Sequence, residues 1–175
     1  TDAELAHVGK RHGGPGCLVS GVLAARARGM RWIPDVPGVV VVVPHDVRRQ
    51  DSSGTVTVRR CRRFSEISAS LWEGVLLAEP ARVVVDACRQ AIGHRIVHWG
   101  AGRELRRSAF EKRCLQDVRG IVLGAVADGH ATPVRIREVL AMGSRRDTAL
   151  IARACRDAER GVASPPEAEH ADDLL

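Results

Sequence analysis

Arginine side chains crowd around one polar turn in the first half of the chain. A guanidinium group binds two oxygens of a phosphate or carboxylate at once, so several together suit an anionic polymer. The first arginine group is Arg48, Arg49, Arg59, Arg60, Arg62 and Arg63. These residues flank the polar turn at residues 48–54 and the outgoing end of the strand predicted after it. We predict that they contact the phosphates of DNA, and the alternative is a solvated sheet edge whose charge prevents aggregation.

A second basic group recurs at helical spacing near the middle of the chain. Its members are Arg103, Arg106, Arg107, Lys112 and Arg113. On a helix, residues 103, 106 and 107 share one face. This spacing predicts a cationic stripe in which Arg103, Arg106 and Arg107 contact nucleic acid, and the alternative is a solvated helix face.

A possible metal site combines cysteine and histidine. Its candidate ligands are Cys88, His94, His98 and Cys114. Two histidines four residues apart can meet one zinc ion on a helix, with a thiolate from either side. The cysteine-to-histidine spacing matches no compact zinc knuckle, and both cysteines occupy positions where apolar residues are expected. We therefore predict no metal and no cofactor.

Catalytic motifs are not apparent in the sequence. It contains neither a glycine-rich phosphate loop nor the elbow that presents a nucleophilic serine. Asp86 lies on an apolar helix, where a buried carboxylate could act as a general base. A salt bridge to Arg82 or Arg89 on the helix surface is the interpretation we prefer. No residue is predicted to be catalytic, and the protein is predicted not to be an enzyme.

The elements that must position these residues change character along the chain. Five valines at residues 39–43, between prolines, predict a buried strand, and residues 55–58 alternate as a strand that pairs back on it. Residues 71–77 predict a third short strand. Helices are predicted at residues 2–12, 17–28, 80–91, 103–114 and 118–126, from Thr132 to Met142, and from Ser144 to residue 160.

This order predicts an α+β fold, with a small, mainly antiparallel sheet and flanking helices followed by a helical C-terminal half. Residues 1–78 form the predicted α/β subdomain and residues 79–175 the helical one, or both form one continuous domain.

Composition narrows the class of partner. The chain has 175 residues, 45% hydrophobic and 27% charged, which is typical of a soluble globular protein. An aromatic content of 3% disfavours a protein that stacks the bases of single strands. The net charge is +6, and 25 of the 27 basic residues are arginine, which favours a polyanionic partner. The five cysteines are widely spaced, no signal peptide is apparent, and the longest apolar run is too short to cross a bilayer. These features predict a cytoplasmic protein without membrane contact.

Several segments together resemble a family known from actinobacterial genomes. They are residues 38–45 (GVVVVVPH), 56–60 (VTVRR), 79–87 (EPARVVVDA), 131–134 (ATPV) and 161–169 (GVASPPEAE). In these segments the chain is similar to AbiEi-type antitoxins of abortive-infection toxin–antitoxin systems. Members of that family commonly carry an N-terminal winged helix, and many carry a very-short-patch-repair-like endonuclease domain. The resemblance implies an antitoxin-like or regulatory protein whose partner is DNA or a cognate toxin protein.

The chain departs from that family at both ends. No winged helix is visible, and only Glu167 matches an acidic residue of the nuclease domain, so we interpret Glu167 as the capping partner of Ser164. We predict a non-catalytic binding module with an arginine-rich surface that contacts the DNA backbone or an acidic partner. Two alternatives remain: a remnant or split metal-dependent nuclease that uses Glu167, and a structural interaction domain whose acidic tail, residues 165–175, docks on a basic surface.

Overall fold

The computed structural model describes residues 1–50, 54–99, 107–145, 147–162 and 164–167. The helices are α1 (Asp2–Gly13), α2 (Gly21–Ala27), α3 (Pro80–Trp99), α4 (Arg107–Ala127), α5 (Pro133–Ala141) and α6 (Thr148–Glu159). The strands are β1 (Leu18–Ser20), β2 (Val39–Pro44), β3 (Val56–Cys61), β4 (Ala69–Trp72) and β5 (Val75–Ala78), with a 3-10 turn at Phe64–Glu66. The fold is α+β, as predicted, with the sheet in the N-terminal half and a helical C-terminal half.

Strand β2 is buried on both of its faces, which explains its unbroken run of valines. On one face, α1 approaches so closely that a Cβ atom on Gly9 would stand 3.0 Å from Val41. On the other, a Cβ atom on Gly21 of α2 would stand 2.8 Å from Val40. A strand covered on both sides has no position for a polar side chain, so the usual alternation disappears.

The sheet is mixed rather than mainly antiparallel. Its strand order is β3-β2-β1-β5-β4, with antiparallel β1–β2 and β4–β5 pairs and parallel β1–β5 and β2–β3 pairs. The prediction that β3 pairs back on β2 is wrong, because the chain returns from Pro44 to the start of β2 before β3 begins. Val56 therefore lies opposite Val39, and the strands run side by side to Pro44 and Cys61.

Two shorter strands also differ from the prediction. The helix predicted at residues 17–28 begins as β1, and the helical part is α2 alone. The strand predicted at residues 71–77 is instead a hairpin of β4 and β5. Its turn residues Glu73 and Gly74 both have positive φ, 46° and 76°, the backbone geometry that a tight two-residue hairpin favours.

The helices of the second half pack in sequence onto the first half, with α3 against α2, α4 against α3 and α6 against α4. Thr132 caps α5 as predicted, because its hydroxyl accepts a 3.2 Å hydrogen bond from the backbone N–H of Arg135. The predicted cap at Ser144 is wrong, since α6 begins at Thr148 with Asp147 as its N-cap residue. None of the helices in the described ranges has both the length and the apolar character that a bilayer crossing requires.

Candidate nucleic-acid interface

The parallel pairing of β2 and β3 brings two arginine segments to the same end of the sheet. Parallel strands carry their carboxyl ends at one edge, and here Pro44 lies opposite Cys61. Arg48 and Arg49 follow β2, and Arg60 is the penultimate residue of β3. In the predicted hairpin these segments would have lain at opposite ends of the strand pair. The corrected topology therefore strengthens the grouping.

The same register divides the arginines of β3 between the two faces of the sheet. Arg60 lies beside Val43 and points with Val41 toward the face that α1 covers. Arg59 lies beside Val42, on the face that carries α2 and α3. Neighbouring residues of a strand point to opposite faces, so the arginine run is not one continuous surface.

Four arginines form what we call the β3-edge surface: Arg48, Arg49, Arg60 and Arg62. All four are exposed, and within the described part of the chain none has an ion-pair partner. Arg63 differs, because its Nε donates a 2.6 Å hydrogen bond to Glu66, whose carboxyl pKa is lowered by that bond. The surface thus keeps four guanidinium groups that form no ion pair with a described acidic side chain.

Other arginines of the scaffold are matched with acidic side chains. Ion pairs join Arg26 to Asp2, Arg31 to Asp128, Arg82 to Asp86, Arg95 to Asp117 and Arg137 to Glu159. In these pairs the guanidinium binds a carboxylate of the same chain. The contrast separates arginines that are paired within the chain from those that remain available to an external anion.

The end of α1 extends the basic surface in a way that sequence spacing did not reveal. The guanidinium of Arg49 lies over Gly14, where a Cβ atom would stand 3.2 Å from it. The His12 ring and the Gln50 carbonyl are 2.7 Å apart, which ties this connection to α1. Arg11 is exposed and lines the same shallow recess as Gly14, which places Arg49 beside this end of α1 although 35 residues separate Arg49 from Gly14 in sequence. Only the packing of α1 on the sheet creates this proximity.

The second predicted group lies mostly outside the described residues. Arg103 and Arg106 lie outside the described residues. Arg107 begins α4, but its side chain also lies outside the described part. The cationic stripe therefore stays a prediction.

Behind the sheet, α3 carries a buried polar network. Asp86 is fully buried and accepts hydrogen bonds from Ser20 Oγ at 2.8 Å and from Arg82 Nε at 2.6 Å. The predicted ion pair with Arg82 forms, but in the core rather than on the helix surface. One helical turn later, the Gln90 side chain accepts from the Val22 backbone N–H at 2.9 Å. These contacts fix α3 to β1 and α2.

A cleft of about 440 Å³ opens between the end of β3 and α5, and it also contains arginine. Its charges are neutralised within the chain, since Arg135 donates hydrogen bonds to Glu79 at 3.0 Å and to Glu138 at 2.8 Å. Arg63 is bound to Glu66 at its rim. This balance makes the cleft a poor site for a polyanion.

Two of the candidate metal ligands, Cys88 and Cys114, are core side chains. Cys88 and Cys114 are completely buried, and burial raises the pKa of both thiols, that of Cys114 to about 11. Thiols in this environment stay protonated and behave as small apolar groups. The His98 side chain lies outside the described part, and within that part no three His, Cys, Asp or Glu side chains are placed to hold a metal ion.

Comparison with protein-family models finds no match to this chain, and comparisons with curated proteins and with solved structures find none either. The resemblance to AbiEi-type antitoxins accordingly stays a prediction.

Proposed function

We propose that the protein is a non-catalytic binding module that contacts the phosphate backbone of DNA through the β3-edge surface. The observation that carries this proposal is the set of four exposed guanidinium groups that have no acidic partner among the described residues. They come from two chain segments that parallel strand pairing brings to one edge. Such groups displace the counterions of a nucleic acid without reading its bases.

The proposed mechanism is occlusion, with no bond made or broken. A metal-dependent nuclease needs several carboxylates around its ion. Within the described residues Glu167 belongs to no such group. In an antitoxin-like protein, the same surface would also suit an acidic face of a toxin, because carboxylates bind the guanidinium fork as phosphates do.

Salt-dependent binding to a random-sequence duplex tests the proposal. Each phosphate neutralised on duplex DNA contributes about −0.9 to the slope of log K against log salt, so four contacts give about −4. The double variant Arg60→Gln/Arg62→Gln removes two contacts and reduces the slope by about 2 units. Fluorescence anisotropy at salt concentrations from 50 to about 300 mM measures both values.

A matched control separates the surface from net charge. Arg156→Gln/Arg160→Gln removes the same charge from exposed positions at the end of α6. We expect this variant to keep the slope of the unmodified protein. An affinity that does not change with salt would refute phosphate contact. An equal loss in both double variants would refute the β3-edge surface as its location.

A further inference from the structure

A smaller cationic site lies on the other face of the sheet, where β3, α3 and the segment before α6 meet. It is a cavity of about 130 Å³ lined by Arg59, Arg89, Gly93, Ser144 and Asp147. The Nε atoms of Arg59 and Arg89 are both buried, and neither has a hydrogen-bond partner among the described residues. Buried polar atoms nearly always have a partner, so two unsatisfied donors beside one cavity require an explanation.

Among the described residues, positive charge outnumbers negative charge around Arg89. Besides its own charge, Arg59 and Arg82 act on this guanidinium, together with the carboxylates of Asp86 and Asp147. One Asp86 oxygen is already occupied by Ser20 and Arg82. Burial lowers the pKa of the Arg89 guanidinium, and its arginine neighbours act in the same direction. An added negative charge would relieve both effects.

We propose that this cavity binds a single tetrahedral oxyanion of the phosphate class between Arg59 and Arg89. Each guanidinium has an Nε–H donor without a partner among the described residues, and Arg89 is held at the cavity by its 2.7 Å hydrogen bond to the Ser144 carbonyl. The cavity is smaller than the roughly 300 Å³ at which small-molecule sites begin. It therefore accommodates a phosphoryl group and not a nucleoside. This site is separate from the β3-edge surface and does not depend on the function proposed for it.

Asp147 weakens anion binding at this site because its carboxylate lines the same cavity. It repels an anion, so Asp147→Asn should strengthen phosphate binding severalfold. Asp147 has φ 60°, in the left-handed region, which asparagine tolerates as well as aspartate does. The substitution thus changes the charge and preserves the backbone.

Calorimetric titration with inorganic phosphate, at an ionic strength held constant with chloride, tests the proposal. We expect Arg59→Gln and Arg89→Gln each to weaken binding at least tenfold. Gly93→Leu tests the cavity without removing a charge, because a Cβ atom at Gly93 meets no atom within 4 Å. Replacing a mid-helix glycine also favours folding, so lost binding in this variant reports occlusion of the site. Arg156→Gln, which removes one exposed charge at the end of α6, is the control and should bind phosphate normally.

The source of the phosphate is distinguished by a second ligand pair. A short oligonucleotide with a 5′-phosphate is compared with the same oligonucleotide without it, and tighter binding of the first assigns the site to a nucleic-acid end. Binding of inorganic phosphate alone assigns it to a free ion. The proposal is overturned if phosphate binds no better than chloride, or if Arg59→Gln and Gly93→Leu leave its affinity unchanged. The DNA salt slope of Gly93→Leu should stay normal, which separates this result from a failure of the β3-edge surface.

Discussion

Replacing Asp86 by asparagine tests whether the buried ion pair on α3 holds the sheet and helices together. The carboxylate is fully buried, and the side chain of its partner Arg82 is only 11% exposed. Removing one member of such a pair leaves the other charge buried and uncompensated, at a cost of about 3–5 kcal/mol. A protein of this kind is stable by about 5–15 kcal/mol, so Asp86→Asn should remove about a fifth or more of its free energy of unfolding.

Urea unfolding followed by far-UV circular dichroism measures this loss. With a slope of about 2.5 kcal/mol per molar urea, the expected loss lowers the unfolding midpoint by about 1–2 M. Glu159→Gln is the matched control, because it removes the acid from the pair of Arg137 and Glu159, which are 40% and 37% exposed. An exposed pair contributes at most about 1 kcal/mol, so the control midpoint should move by less than about 0.4 M.

The double variant Arg82→Met/Asp86→Leu distinguishes charge from packing. Removing both charges leaves neither uncompensated, so the double variant should recover most of the stability lost in Asp86→Asn. The reasoning is refuted if Asp86→Asn shifts the midpoint no more than the control does. It is also refuted if the double variant is as unstable as the single one.

Two further predictions concern pH and glycine packing. Hydrogen bonds from Arg26 lower the pKa of Asp2, so this pair stabilises the fold above the usual aspartate pKa of about 3.9 and loses its effect as pH falls through the lowered value. The melting temperature of Asp2→Asn should therefore match the unmodified protein near pH 2 and fall below it by pH 5, with a small difference because the pair is half-exposed. Gly93→Ala should raise stability by about 0.5–1 kcal/mol, since open space surrounds it on α3. Gly124→Ala should lower the free energy of unfolding by about 1–3 kcal/mol, because its Cβ atom would stand 2.7 Å from the Arg31 carbonyl oxygen. Urea unfolding measures both variants, and midpoints that shifted in the same direction would contradict this pair of predictions.

The elements were easier to predict than their pairing. The valine run predicts β2 because its composition is local, and the prediction of a strand at residues 55–58 is confirmed by β3. Alternation shows which side chains share a face but not the direction of the neighbouring strand, so the parallel β2–β3 pair was missed. Strand β1 has three residues, too few for any periodicity to distinguish it from the helix that follows.

The arginines of the candidate site could be predicted from the sequence, but the side chains that they contact could not. The pairing of Arg63 with Glu66 follows from three-residue spacing and could have been found in the sequence. The approach of Arg49 to the end of α1 depends on tertiary packing, as does the burial of Arg59 beside Arg89. The division at residues 78 and 79 and the cytoplasmic location stay predictions.

The consecutive residues Arg59 and Arg60 point to opposite faces of the sheet, and this constrains which insertions and deletions β3 can accept. Deleting one residue before Arg59 in β3 would move every later residue of the strand to the opposite face of the sheet. Arg60 would then point toward the face of α2 and α3, and Arg59 toward the face that α1 covers. The deletion would also turn Val58 away from its apolar neighbours. Insertions or deletions within β3 would therefore have to come in twos to keep both faces of the strand unchanged.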